Sequence, residues 1–369
     1  MNISVDRKEF INALAIGGAM SGKNSTMPIL CFTKIAVEGN LISISSFDLE
    51  CAITTRIYSL SNDGNGEFCV NAGDLLKALK SLNSDAVEMD INVGQLSIKH
   101  KSGIMEMPIV EANAFPNISE GHKDSSHLFV LSTEWLKEWI GIGRNFASTD
   151  EFRVIMNGLY MNITSSYVEV CATDAHKLYT DKVAATMTDG TNVEAVLPSK
   201  AFAPLLNFLT NEAEVTMRID DKNFTFTTPR TELKCRKVEG NYPNFRAVIP
   251  SHSQKLVMSN EAFATAVNRV AIFSNKETSL VKLNILKNSV LLEGNDIDFN
   301  MASSESVDAT LNSDSFVSIG AKAIFLSLCL KNIFSDEVTM EYGTSAQPML
   351  FKDSSRPSKQ ILLMPMMIQ

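Results

Sequence analysis

The chain has 369 residues, 45% of them hydrophobic and 20% charged, with a formal net charge of −9. This is an ordinary globular composition, long enough for two or three domains with cores of their own, which excludes disordered and fibrous classes. No apolar run reaches the ~18 residues of a membrane helix, and an acidic balance taken alone argues against nucleic-acid binding, for which a basic excess is usual.

The first stretch, "MNISVDRKEF", lacks the apolar segment of a secretory signal. The six cysteines (31, 51, 69, 171, 235, 329) are scattered with no C-x-x-C pair, a pattern of reduced thiols rather than disulfides or zinc. Both point to the cytoplasm. In "RKEFINALAIGGAM", Phe10, Ala13, Leu14 and Gly17 recur at helical spacing, so an amphipathic helix is predicted with Asp6 at its N-cap.

The end of that helix runs into "GGAMSGKNST", where Gly17, Gly22 and Lys23 match the first seven positions of a phosphate-binding loop. Such a loop needs a hydroxyl directly after the lysine, a strand before the glycines and a helix after them. Here Asn24 follows Lys23, Ser25 comes one position late, the upstream segment is helical, and Met27-Pro28 interrupts any helix downstream. The glycines read instead as a helix C-terminus followed by a lysine-bearing loop. An ATPase reading, which would require ATP binding that is lost in Lys23→Ala, is set aside.

Further along, alternating strands and amphipathic helices follow one another, and the pattern repeats. "ISVDRKEFINAL", "FVLSTEWLKEWI" and "LVMSNEAFATAV" begin at Ile3, Phe129 and Leu256, 126 and 127 residues apart. Each passes from a short strand through a polar capping residue (Asp6, Ser132, Ser259) into a helix, with Phe10, Leu136 and Phe263 at one shared position. A second helix recurs in "VNAGDLLKAL", "LPSKAFAPLL" and "IGAKAIFLSL". An aspartate closes a strand at Asp48, Asp174 and Asp296, and "AFPN" and "NYPN" close the first two copies. "LISISSFDLECAITTRIYSL", "EVTMRIDDKNFTFTT", "VKLNILKNSVLLEG" and "SDEVTMEYG" alternate as strands. The fold class is therefore α+β: three tandem copies, at 1–126, 127–254 and 255–369, each an antiparallel sheet with two helices on one side.

Little else carries chemistry. Asp174 and His176 share a strand face, but no nucleophile motif accompanies them. The five histidines (100, 122, 127, 176, 252) are isolated and none is paired at metal-ligand spacing. No cofactor, no metal and no catalysis are expected. Tandem antiparallel units can pair edge to edge into an arc, and a head-to-tail contact closes an arc into a ring.

The stretches "TMPIL", "FDLE", "RVIMNGLY", "ATDAHKL", "VEGNYPNFRAVIP", "AIFSNKE" and "LLMPMMIQ", in this order along the whole chain, resemble the β sliding clamp of bacterial DNA polymerase III. The resemblance implies a DNA clamp fold and a head-to-tail homodimer forming a six-domain ring around duplex DNA. Such a ring is a DNA replication processivity factor that tethers the replicative polymerase, and it is not an enzyme. It also answers the charge objection, because a positive channel is compatible with a negative total. Channel candidates are Lys23 with Asn24 in the loop before "TMPIL", and Lys8, Lys77, Lys80, Lys137, Arg144, Lys200, Arg269, Lys276, Lys322 and Lys331 on or beside the helices. Contacts from these residues would go to phosphates and be independent of sequence.

The resemblance also implies a groove between the second and third domains that binds short peptides of DNA polymerase, the clamp loader and repair factors. Matching positions are Met156, Thr173, Ala175, His176, Lys177, Leu178, Pro243, Val248, Pro348, Leu362, Met364, Pro365, Met366 and Met367. Ala175 stands where a glycine is usual and Met367 where an arginine is usual, so peptide preference is expected to differ. A dimer interface is implied at Met105 and Met107 against Ile272 and Phe273. The competing reading is a peptide-binding repeat scaffold that never encircles DNA.

Overall fold

The computed structural model describes residues 1–22, 27–116, 127–184, 192–209, 212–312 and 316–368. The chain forms two compact units, Met1–Glu138 with Lys200–Lys237, and Trp139–Ser199 with Val238–Gln369.

Six α-helices stand among the described residues, at the predicted places: α1 Arg7–Gly17, α2 Ala72–Ser81, α3 Thr133–Phe146, α4 Phe202–Phe208, α5 Asn260–Ala271 and α6 Ala323–Lys331. Side-chain caps set three of these starts, at Asp6 and Ser259 as predicted and at Asn71, which the sequence reading did not single out. Asp6 accepts the Glu9 N–H at 2.8 Å, Asn71 accepts from Asp74 at 3.1 Å, and Ser259 accepts from Ala262 at 3.3 Å, each satisfying a donor that the first helical turn leaves free. Gly17 is the last residue of α1, and a Cβ there would stand 2.5 Å from the Ile44 carbonyl oxygen. Ser46 donates to the Gly17 carbonyl at 2.5 Å. The glycine is there for close approach of helix and strand, in keeping with the rejection of a phosphate loop.

All strand ladders are antiparallel. The expectation of one sheet per copy needs correction. In the first unit, strands Asn2–Asp6, Ala86–Asn92, Gln95–His100 and Gly103–Pro108, with Ser61–Asn62, form one five-stranded sheet, while the rest of the first copy belongs to a nine-stranded sheet. That larger sheet continues into the second copy, because Thr231–Arg236 pairs with Cys51–Tyr58. The second unit repeats the device in a twelve-stranded sheet, where Arg356–Leu363 pairs with Lys177–Ala184. An open sheet edge leaves N–H and C=O groups unpaired, and pairing it with the next copy satisfies them.

Strands Thr33–Glu38 and Leu41–Phe47 bury one alternating face, whereas Gly158–Ile163 and the start of Lys177–Ala184 are buried on both. Ile3, Val5, Ile35, Val37, Ile42, Ile44, Met89 and Ile98 close on Phe10, Leu14, Leu75 and Leu79 from α1 and α2. In the second unit a cluster of Tyr160, Cys171, Leu178, Val196, Phe245, Leu350 and Leu362 lies under the end of the Lys177–Ala184 and Arg356–Leu363 pair. This cluster is the floor of the site described next.

Candidate functional site

The site is built on a four-residue turn. One Asp174 carboxylate oxygen accepts the N–H groups of His176 and Lys177, both at 2.9 Å. Thr173 Oγ1 donates to the Lys177 carbonyl at 2.8 Å and accepts from the Ala175 N–H at 3.2 Å. The turn forces Ala175 to a φ of 75°, in the left-handed region where a Cβ is strained. Sequence pattern alone could place the aspartate; the strained alanine is visible only in the backbone.

Lys177 turns inward, is buried, and makes an ion pair with Asp174. Its ammonium also lies 4.9 Å from the centre of the Phe325 ring on α6 and 5.8 Å from that of Phe146 at the end of α3. The His176 ring stacks toward the same Phe325 at 6.2 Å, and Lys322 approaches it at 5.0 Å. Phe325 is thus the centre of a cluster that sequence reading missed, and Lys322, read there as a channel residue, stands in it.

The C-terminal tail forms the facing wall. Strand residues Leu362 and Leu363 are buried, opposite Leu178 and Lys177 respectively. Beyond them the chain leaves the ladder, with the Met364 N–H donating to the His176 carbonyl at 2.8 Å and the Met366 N–H donating to Gly320 at 2.8 Å. Met364 is exposed and Met367 is 92% exposed. "LLMPMMIQ" is therefore half core strand and half surface, and the change falls between Leu363 and Met364.

On the other side, the 3₁₀ turn Phe245–Val248 drops Phe245 into the floor and leaves Val248 exposed, with exposed Pro243 just before it. Tyr160 and Tyr242 stack under that turn with centroids 4.8 Å apart, and burial pushes the Tyr160 hydroxyl up to about 12. Met156, buried, ends the 3₁₀ turn Glu151–Met156, whose Ile155 packs on the same cluster. Pro348 precedes the strand Met349–Asp353 and accepts a hydrogen bond at its carbonyl from His252 at 2.8 Å. The groove positions inferred from the sequence thus fall around one apolar floor in one unit, with an exposed methionine and proline rim.

The floor is braced from below. The fully buried Asp181 carboxylate accepts from Trp139 Nε1 at 3.0 Å and from Ser358 Oγ at 2.9 Å, and pairs with Arg356. This ties α3 to both strands that carry the groove.

The channel candidates are less uniform. Lys23 and Asn24 lie outside the described residues. Lys77 pairs with Asp74 at 3.0 Å, Lys200 with Glu50, and Arg269 with Glu305, where Nε donates at 2.9 Å. Lys8, Lys80, Arg144, Lys276 and Lys331 are exposed and have no ion pair among the described residues, and Lys137 is half-buried on α3. Lys80, Arg144 and Lys331 occupy last helical turns, where a cation also complements the helix dipole.

Of the four interface candidates, Met105 and Met107 pack half-buried against their own core, and the outward residues between and before them are Glu106 and Ile104. Their strand, Gly103–Pro108, is the edge of the five-stranded sheet. In the second unit Ile272 is 69% exposed and Phe273 is exposed beside it. A turn bearing exposed Ile297 and Phe299 lies alongside, held by Asn275 to Asp298 at 3.4 Å and by Lys276 over the Phe299 ring.

Among the described residues no cluster of histidine, cysteine, aspartate or glutamate suits a metal ion, and no helix is long and apolar enough to cross a membrane. The fold and the apolar groove define a clamp-type protein of repeated α+β units. Family models of the DNA polymerase III beta subunit match in order: the N-terminal domain at residues 1–119, the central domain at 130–244 and the C-terminal domain at 246–367. The chain belongs to the DNA polymerase III beta subunit family.

Its relatives include the beta sliding clamp of Pseudomonas putida, 24% identical over 99% of this chain and 100% of that one. That of Caulobacter vibrioides is 24% identical over the full length of both chains. Among solved structures, a Pseudomonas aeruginosa sliding clamp bound to griselimycin matches with a TM-score of 0.94 at 22% identity, over the full length of both chains. The Thermotoga maritima beta subunit matches with a TM-score of 0.93 at 22% identity, again over both full lengths.

Proposed function

We propose that the protein is a sliding clamp, a non-catalytic homodimeric ring that encircles duplex DNA and holds the replicative polymerase on it. The observation that carries this reading is the full-length match, in order, to the three beta-subunit domains. The three clamp domains are taken as 1–126, 127–254 and 255–369, and the working compartment as the cytoplasm. The unpaired surface lysines and arginines on α1, α2, α3 and α6 and just past α5, with Lys23 and Asn24, would meet DNA phosphates without reading bases.

The groove beside the Asp174–Lys177 turn would take short peptide segments of the polymerase, the clamp loader and repair factors. Methionine-rich apolar surface adapts to several different segments, which suits a shared docking site. The ring would close where the free edge Gly103–Pro108 of one subunit meets the apolar end of α5 in the other. With Met105 and Met107 turned inward, the edge backbone, Ile104 and Glu106 are available to the partner.

Negative-stain electron microscopy with light scattering tests the ring. A closed ring with a central hole and a mass near twice 40.5 kDa is expected. Retention on closed circular DNA but not on linear DNA, after loader action, separates a clamp from a peptide-binding scaffold. The double variant Ile272→Ala with Phe273→Ala is expected to run as a monomer. A dimer at the same concentration would move the interface elsewhere.

A further inference from the structure

Lys322 has a surrounding that a channel lysine does not need. It is half-buried at the N-cap of α6, with its ammonium 5.0 Å from the Phe325 ring centre. Two residues earlier, Gly320 accepts the Met366 N–H of the tail, and His176 and Lys177 stand against the same Phe325 ring. Lys322 therefore borders the groove wall, not an open helix face.

The charges around it do not balance. Lys177 is answered by Asp174, whose carboxylate also caps two backbone N–H groups. Lys322 has no ion pair among the described residues; its recorded contact is the aromatic face. The cluster is left with one positive charge beside an apolar floor. A carboxylate brought there meets its counter-charge in a less watery place than open surface, where such a pair is worth more.

We propose that Lys322 reads an acidic side chain of the docked segment, so that this groove selects apolar peptides carrying one carboxylate at a fixed position. The proposal rests on the groove reading above and adds a specificity-determining residue to it. A charged hydrogen bond to the ammonium supplies the selection, and the methionine and leucine surface supplies sequence-tolerant affinity.

The test uses the full-length protein and fluorescein-labelled apolar pentapeptides of Leu, Met and Phe. One Asp is walked along the peptide, each version paired with its Asn counterpart, and binding is read by fluorescence anisotropy at low and high salt. In one register the Asp peptide is expected to bind about tenfold more tightly than the Asn peptide at low salt, with a smaller gap at high salt. Lys322→Gln should remove the gap between paired Asp and Asn peptides, Lys322→Glu should invert it, and Lys322→Arg should keep it. Equal binding of Asp and Asn peptides, or a gap that survives Lys322→Gln, overturns the role of Lys322 and leaves the groove standing. If no peptide binds in any register, the groove reading falls and this proposal with it. If Lys322→Gln leaves peptides unaffected but weakens retention on circular DNA, the lysine belongs to the channel.

Discussion

The turns at Asp48–Cys51 and Asp174–Lys177 are built alike and serve different ends. In each, one aspartate oxygen accepts the N–H groups two and three residues on: Glu50 and Cys51 at 3.1 and 2.7 Å, His176 and Lys177 at 2.9 Å. In each, the residue after the aspartate has a positive φ, 78° at Leu49 and 75° at Ala175. In each, the next strand pairs with a strand of the following repeat. The first joint is closed with small side chains. Cys51 lies opposite Cys235, both buried, and the Thr55 and Thr231 hydroxyls meet at 2.8 Å. The second has a charged centre in Asp181, a buried lysine above it and a rim of exposed methionine. Local geometry makes the joint; what packs around it makes a site.

The largest difference should appear on cutting each brace. Asp181→Ala removes a buried carboxylate that a tryptophan, a serine and an arginine share, and with it the buried ion pair to Arg356. A loss of about 3–5 kcal/mol is expected from breaking such a pair on one side. Thr55→Val at the first joint removes a neutral hydroxyl that meets Thr231 at 2.8 Å and the Arg230 carbonyl at 3.5 Å, and should cost about 1 kcal/mol. Urea denaturation of the two variants measures both, and equal losses would mean that the second joint is no more dependent on charge than the first.

Acid sharpens the comparison next. Burial alone would raise the Asp353 carboxyl, but hydrogen bonds from Ser355 and the Phe334 N–H and the buried Lys359 ammonium outweigh it and hold it well below the usual range. A folded-state value below the unfolded one stabilises above the unfolded value, near 4, and that stability is lost as pH falls through the folded one. Melting midpoints should therefore drop steeply below about pH 4 in the wild type. In Asp353→Asn the midpoint should start lower and fall less, so that the two curves converge. Parallel curves would remove Asp353 from the acid response. In the first unit the carboxyl of Asp63 is also lowered, chiefly by the backbone N–H and then the amide of Asn2, but it stands at an exposed site where solvent screens the effect.

Much of this was legible in the sequence, for physical reasons that differ by residue. The helices and their caps followed from spacing and from Asp6 and Ser259, because those signals act within one turn of chain. The groove residues were reached by resemblance, and all of them lie in the second unit. Phe325 was missed because its partners His176 and Lys177 come from a different repeat, and nothing within "AKAIFLSL" marks it. Lys322 was assigned to the channel because a lysine beside a helix does not declare which way it points. The inward turn of Met105 and Met107 could have been read, since alternation in "GIMEMP" puts Ile104 and Glu106 on the opposite face. Edge-to-edge pairing of tandem units could be anticipated, but which strands pair across a repeat boundary could not, because strand edges pair through backbone groups that every sequence carries.

The smallest effect is the most discriminating between the twin turns. A left-handed backbone costs an ordinary residue about 1–2 kcal/mol, and glycine avoids that cost while giving back part of it as unfolded-state entropy. Leu49→Gly and Ala175→Gly should each raise stability by about 0.5–1 kcal/mol, because both positions are exposed and neither side chain packs in a core. If only Leu49→Gly stabilises, the strain at Ala175 is balanced locally and the methyl group makes a compensating contact at the groove. If both stabilise alike and Ala175→Gly also shifts the affinity for apolar pentapeptides, the methyl contributes to peptide fit at the expense of the fold. Leu49 lies outside the groove residues, so any change in binding confined to Ala175 isolates what the groove adds to a similarly built turn.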